Sequence, residues 1–499
     1  MSESTPDQLQ RIARRAADVA PVWAATTLRE RASALVAAAD ALIDAQSELV
    51  PTAMKETGLT EARLVGELKR TAVQLRMFAD VVVDGSYLDV RIDEADHNFA
   101  LGVRPDLRRF SIPVGPVLNF AASNFPFAFS VAGGDTASAL ASGCPVVVKV
   151  HSGHPRLSVK TARVVTGALE AAGAPAGTLQ LISGRAAGVS MLRDPGIAAG
   201  SFTGSIRAGR LLADIAAARV QPIPFFGELG SVNPAFVTAA ALAERADEIA
   251  DGFAMSVSGS AGQLCTKPGF LFLPLGHDLG GRLAARVAEV AEHRLLYPGS
   301  ARGYRDRRDT ILGADNVSVI SEGSLRFDED EQGWATPTIV TVSANALLAQ
   351  RERLLAEAFG PLSILVEYES EDGLAHLADQ LFEGNLTGTV HAAARENTEP
   401  LRRLVAWLSQ HTGRVLFGSW PTGVAVTPAM QHGGPWPATT NDSGTSVGSA
   451  AIKRFLRSVS FQGAPQELLP PPLRDDNPWR VPQHRSPAGE SHSWGTTSR

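Results

Sequence analysis

Cysteine is nearly missing: Cys144 and Cys265 are the only two in 499 residues. That excludes a disulfide scaffold and fits a reducing compartment. No run of Lys or Arg stands out and the net charge is −6, so the basic surface that phosphate contacts require is lacking and nucleic acid is not an expected partner. No apolar run approaches the ~20 residues needed to span a bilayer. The first residues, MSESTPDQLQRIARRAADVA, hold no apolar core of the kind a secretory signal needs. A soluble cytoplasmic protein with no membrane partner is expected. No internal repeat is visible.

What is present is an ordinary globular composition, 44% hydrophobic and 20% charged. The length exceeds one compact core, so two or more domains are expected. The first ~85 residues read as helices, rich in Ala and Leu. The stretch YLDVRIDEADHNFALGVRPDLRRFSI alternates in places and reads as a long hairpin. Then strands and helices alternate: GPVLNF, a Gly/Ala-rich helix to Ser142, PVVVKV, LSVKTARVVTGALEAAG, LQLIS, SFT and SIRAGRLLADIAAA. In the last of these, Ala208, Leu211, Leu212 and Ile215 share one face. Such alternation implies a parallel α/β sheet with ligands beyond its carboxyl edge. A second α/β region begins near Gly230. Beyond Gln462 the chain turns Pro-rich and polar, and reads as an extended, partly disordered tail.

Several positions carry possible chemistry, each beside a plainer reading. Cys265, in SGSAGQLCTKPG, is surrounded by small residues that leave a thiol accessible, and Lys267 would lower its pKa; a lone cysteine also serves as an inert packed residue. Cys144 reads as structural. Glu228, in PFFGELGSVNP, is either a surface turn residue or a desolvated carboxylate with the raised pKa of a general base. Asn124, in AASNFPF, is either an oxyanion donor or a turn former. Gly204 and Ser205 join a strand to a helix whose free N–H groups suit a phosphate, although the segment is not a GxGxxG fingerprint and Ser205 could be only a cap. Lys149 ends a strand within reach of ribose hydroxyls or phosphate, or is simply solvated. Glu357, before a Phe-Gly-Pro turn, is a ribose acceptor or an ordinary helix-end glutamate. His151 and His154 have no third ligand, so no metal is expected.

The ordered set SNFP, VVVK, FTGS, ELGSxNP, GQxCT and EAFGP decides among these readings. Over nearly its whole length the chain resembles the aldehyde dehydrogenase superfamily. Its segments ASNFPFAFSVAGGDTASALASGCPVVVKVHSGHP, GQLCTKPG, SWPTGVAV, MQHGGPWPATT, TSVGSAAIKRFLR and LLPPPLRDDNP are similar to the branch of 2,5-dioxovalerate (α-ketoglutarate semialdehyde) dehydrogenases. The resemblance implies an α/β fold with a Rossmann-type cofactor domain (1–86 and 112–229), an α/β catalytic domain (230–440), oligomerisation strands (87–111 and 450–465) and an extended C-terminal tail (466–499). It implies a homodimer or homotetramer.

It also implies roles. Cys265 would attack the aldehyde, with Asn124 and the Cys265 N–H holding the oxyanion, and Glu228 would activate water to hydrolyse the thioester. Glu357, with Phe359 of the same motif, would hold the nicotinamide ribose, Lys149 the adenosine ribose, and Gly204 and Ser205 the pyrophosphate. NAD-preferring relatives carry a glutamate three residues after the VVVK lysine. Here it is Ser152, which does not repel a 2′-phosphate, so NADP is expected to serve at least as well as NAD. The substrate implied is a small carboxylated semialdehyde such as 2,5-dioxopentanoate.

Two departures bear on that substrate. Close relatives have Asn where this chain has Lys267, and an arginine near the position of Ser443. Lys267 is a candidate partner for a distal carboxylate, and Phe125 a candidate substrate contact. Competing readings are a medium- or long-chain aliphatic aldehyde dehydrogenase, suited by Phe125, Phe127 and Phe129, a cysteine-dependent thioester or ester hydrolase without net oxidation, and a non-catalytic dinucleotide-binding protein.

Overall fold

The computed structural model describes residues 2–496. It opens with four helices, α1 (Pro6–Ala24), α2 (Leu28–Asp44), α3 (Gln46–Thr57) and α4 (Glu61–Asp84). Their ends are written in the sequence. Thr5 with Gln8 and Thr27 with Glu30 form capping boxes, and Gly58 and Gly85 close α3 and α4 in the left-handed conformation. Strands β1 (Val90–Asp93) and β2 (Leu107–Pro113) follow and pair antiparallel.

The alternating region then builds β3 (Val117–Phe120), α5 (Asp135–Ser142), β4 (Val146–Lys149), α6 (Pro155–Ala171), β5 (Leu179–Ile182), α7 (Arg185–Arg193), β6 (Ala199–Thr203), α8 (Ile206–Ala217) and β7 (Phe225–Glu228). These five strands form one wholly parallel sheet in the order β5-β4-β3-β6-β7. The order turns at β3, where one half of the chain winds outward from the other. Ligand crevices open at such switch points, beyond the carboxyl ends of the strands. Helices α2 and α4 pack with this sheet through Leu35, Leu42, Leu68 and Leu75 in one continuous core.

A second sheet takes β8 (Pro234–Val237), α9 (Ala239–Ser258), β9 (Phe270–Pro274) and the strands Ser318–Ser321, Thr338–Ser343, Leu362–Tyr368, Asn385–His391 and Thr412–Phe417. Six of its seven strands run parallel; Ser318–Ser321 lies antiparallel on one edge. Buried Phe236, Phe270 and Phe272 fill one of its faces.

A small third sheet joins β1, β2, Leu456–Gln462 and Gln483–Ser486. The last of these strands corrects the reading of residues beyond Gln462 as an extended, partly disordered tail. Gln483–Ser486 pairs in parallel with β1, and Leu469, Leu473 and Val481 are buried in the main core. Arg108 anchors the segment by donating to the Leu473 carbonyl at 2.7 Å and to Asp475 at 2.8 Å. A Pro-rich composition hid three apolar anchors spaced too irregularly to show a period. No helix among the described residues is long and apolar enough to cross a membrane.

Candidate active site

The carboxyl edge of the parallel sheet gathers most of the singled-out residues. Asn124 follows β3, Lys149 ends β4, Gly204 follows β6 and Glu228 ends β7. The Thr203–Glu228 register and a 3.0 Å bond from Gly204 N–H to the Glu228 carbonyl tie β6 to β7 there. A late loop straps across this edge. Leu229 N–H donates to Ala438 O at 2.8 Å, and Gly227 N–H to Thr440 Oγ1 at 2.7 Å.

Cys265 arrives from the other sheet, on the loop between α9 and β9. That loop is bent by three consecutive left-handed residues, Ser260 (φ 52°), Ala261 (φ 54°) and Gly262 (φ 64°). Two of them are not glycine, a strain that persists only where the surroundings fix it. At Gly262 a Cβ would stand 2.4 Å from the Gly360 carbonyl, so the Cys265 loop lies directly on the loop that carries Glu357. Buried Asn233 holds the loop from below, its amide donating to the carbonyls of Cys265 (2.8 Å) and Lys267 (3.0 Å). Its Oδ1 accepts from Ser231 and Thr387. Asn124 Nδ2 donates to Gln263 O at 3.1 Å, beside Cys265.

Cys265 does not stand alone. His432 Nε2 lies 3.7 Å from its Sγ and 3.0 Å from Glu228 Oε1. Ligand atoms of Cys265, Glu228 and His432 all fall within 4.8 Å of one another, and no other trio of potential metal ligands among the described residues is so close. Proton exchange is open to such a group. Ser446 donates to the second Glu228 oxygen and, like His432, is buried. Burial pushes the Cys265 thiol well above its ordinary value, and the charges of Glu228 and Glu357 push it further. The Cys265 side chain therefore rests as a thiol.

Glu228 differs from the expected raised pKa. Burial does push it up, but His432, Ser446 and Arg454 together outweigh burial and the carboxyl is held below its ordinary value. All three come from residues more than two hundred positions later, which no local reading of PFFGELGSVNP reaches. His432 itself was not singled out in the sequence, although it stands in the quoted segment MQHGGPWPATT; a histidine in a Gly- and Pro-rich loop has no periodic signal. His151 and His154 hold no metal geometry. His154 uses both ring nitrogens, on Ser158 and Ala122 O.

The remaining candidates divide between two sides. Glu357 stands against Gly230, where a Cβ would come within 2.3 Å of its Oε2. Phe359 packs half-buried against the main core. Lys149 lies against Gly188 of α7, and Ser152 is exposed in the turn after β4. Ser205 caps α8, accepting from Ala208 N–H at 3.4 Å. Phe125 stacks edge-on against Phe129 at 5.4 Å and, with Ala122, Val424, Val426, Met430 and Val447, forms an apolar wall.

Lys267 requires a correction. It was a candidate for a substrate carboxylate, yet it is buried, donates to Leu362 O at 2.5 Å and lines a small cavity of about 10 Å³ with Glu357. Burial pushes its pKa down and that of Glu357 up, each restrained by the other's charge. Two residues along a turn suffice to point a side chain away from Sγ. Ser443 is exposed and bonds only to Asn441.

The cleft fits a dinucleotide. The first N–H groups of the 12-residue α8 lack intrahelical acceptors and point to the carboxyl edge of the sheet. Gly204 and Gly230 keep that edge low, while Lys149 and Glu357 flank it with groups that bond hydroxyls.

The profile of the aldehyde dehydrogenase family matches residues 1–291. Alpha-ketoglutaric semialdehyde dehydrogenase 2 of Azospirillum brasilense is 41% identical over 489 residues, 97% of this chain and 92% of that protein. Alpha-ketoglutaric semialdehyde dehydrogenase of Acinetobacter baylyi is 38% identical over 483 residues, 96% of this chain and 91% of that one. Among solved structures, a 3,6-anhydro-L-galactose dehydrogenase gives a TM-score of 0.78 at 21% identity, covering 92% of each chain. A succinic semialdehyde dehydrogenase from Streptococcus pyogenes in complex with NADP+ gives 0.76 at 20%, covering 92% of this chain and 96% of that one. At those identities the structural likeness speaks for the fold.

Proposed function

Since this chain belongs to the aldehyde dehydrogenase family, we propose that it oxidises a small carboxylated semialdehyde, of the 2,5-dioxopentanoate kind, to the acid with NAD(P)+ and Cys265 as nucleophile. The observation that carries this reading is the meeting of half-buried Cys265 with the buried His432 and Glu228 between the two sheets. The substrate class rests on the two semialdehyde dehydrogenases to which the chain is similar.

The chemistry follows from those positions. At neutral pH Glu228 is ionised and the Cys265 thiol is not. In the tautomer with its proton on the unpartnered Nδ1, His432 presents a bare Nε2 that takes the thiol proton, and the Nε2–H so formed donates to Glu228 Oε1, whose carboxylate offsets the charge the ring gains. The thiolate then bonds to the aldehyde carbon. Asn124 turns its amide from Gln263 O to the new oxyanion, a donation that tightens only in the complex. A dinucleotide held by the cleft residues would supply the acceptor for the hydride that leaves this carbon. Glu228 next removes a proton from water, the hydroxide attacks the thioester carbonyl, and the Cys265 thiolate departs, freeing the carboxylic acid.

Lys149, Ser152, Gly204, Ser205, Glu357 and Phe359 would hold the dinucleotide. NADP is favoured by the exposed Ser152 and by Lys149 and Arg185, which stand close enough to repel one another; Glu3, on the N–H groups of Ala186 and Ala187, opposes it. Assembly as a dimer or tetramer is supported by two open strand edges, Thr412–Phe417 and Leu456–Gln462.

The apolar wall around Phe125 and Phe129 favours the second reading, a longer aliphatic aldehyde. A panel of aldehydes with each cofactor, followed at the absorbance of reduced nicotinamide, separates the readings. The expected result is the highest kcat/KM with carboxylated semialdehydes and with NADP no worse than NAD. No turnover with any aldehyde refutes the function, release of acid without cofactor reduction establishes a hydrolase, and a strong NAD preference refutes the cofactor assignment.

A further inference from the structure

Helix α4 carries more positive charge at the edge of the site than its own carboxylate neutralises. Arg63, Glu67, Arg70 and Gln74 recur at three- and four-residue spacing on one face. Glu67 is buried and both its oxygens are committed. Oε1 accepts the N–H groups of Phe127 (2.8 Å) and Ala128 (2.9 Å), just past Asn124, and Oε2 accepts Arg63 at 2.6 Å.

Arg70 is left over. Its guanidinium carbon lies 5.3 Å from the centre of the Phe129 ring, and its buried NH1 has no hydrogen-bond partner among the described residues. One turn on, the fully buried Gln74 also leaves its Nε2 without one. Unpaired buried donors are uncommon and call for an acceptor from elsewhere. Phe129 faces His432, with centroids 6.5 Å apart, and His432 is 3.7 Å from the Cys265 thiol. The guanidinium thus stands one aromatic ring away from the histidine beside Cys265.

We propose that Arg70 is the anchor for the substrate's distal carboxylate, holding an aldehyde acid by its charged end while the aldehyde carbon reaches Cys265. This rests on the substrate class given above. A planar guanidinium pairs two oxygens of a carboxylate at once, which a surface lysine does not. Neither earlier candidate supplies this charge: Lys267 is buried beside Glu357, and Ser443 is neutral and exposed.

The test compares wild type, Arg70→Gln and Arg70→Lys on 2,5-dioxopentanoate, succinate semialdehyde and butanal at saturating cofactor. The readout is the ratio of kcat/KM for each acid to that for butanal. In Arg70→Gln that ratio falls about 100-fold, chiefly through KM of the acids, and Arg70→Lys recovers about tenfold of it. If Arg70→Gln does not fold, Arg70→Lys carries the test with an expected fall of about tenfold. A wild type that prefers butanal overturns the substrate class, and this anchor with it. A wild type that prefers the acids, beside variants that keep that preference, overturns the anchor alone.

Discussion

Replacing His432 with glutamine leaves the fold of the loop and removes the one ring that touches both reacting groups. Burial and the charges of Glu228 and Glu357 push the Cys265 thiol well above its ordinary value, so near neutral pH little of it is ionised without help. Losing the proton acceptor removes positioned acid–base catalysis and costs ~100- to 1,000-fold in kcat/KM. Glu228 also loses the first of the partners that offset its burial, so its pKa rises. It is then less ionised at neutral pH, and the acid limb of the rate profile moves to higher pH. Two measurements check this: the rate of thiol alkylation by iodoacetamide between neutral and alkaline pH, and the pre-steady-state burst of reduced nicotinamide. Both should slow at neutral pH, and alkylation should recover as the pH climbs toward the thiol's own pKa. A variant whose alkylation and burst rates stay within about threefold of wild type would refute the proposed proton path.

Glu228→Gln should release one equivalent of reduced nicotinamide and then stall, with steady-state turnover down by about 100- to 10,000-fold as the thioester waits for a base; rapid-mixing kinetics that show no burst would place Glu228 before the thioester instead. Asn233→Ala removes an amide that bonds the carbonyls of both Cys265 and Lys267, and thermal denaturation should show a loss of about 2–4 kcal/mol; an unchanged Tm would mean the loop is held elsewhere. Lys267→Met takes away the positive charge that restrains Glu357, whose pKa burial already raises. Glu357 then ionises only at higher pH, so the acid limb of cofactor affinity, measured by fluorescence titration, should move to higher pH; no movement would mean the two side chains do not share a field.

The parallel sheet and its carboxyl edge were legible because β4, α6 and α8 carry the periodicities of buried strand and amphipathic helix within a few residues each. Cys265, Glu228 and Asn124 were legible only as an ordered set, since each had a plainer local reading. What stayed hidden arises from groups that meet across the chain. His432 reaches Cys265 over a separation of 167 residues. Glu228 owes its lowered pKa to residues of that same late segment.

Lys267 shows the converse, that nearness in sequence misleads. Its carbonyl and that of Cys265 are bound by one Asn233 amide, and this fixes the turn so that the thiol faces His432 while the ammonium faces Leu362. The same turn thus sets an uncharged thiol and a buried ammonium on opposite sides, the first at His432 and the second beside Glu357. A positive charge meant for a substrate carboxylate has to come from an element that borders the open side of the site. Arg70 on α4 has a buried donor with no bond to spend it on, and the carboxylate one turn away is already taken by Arg63 and two backbone N–H groups.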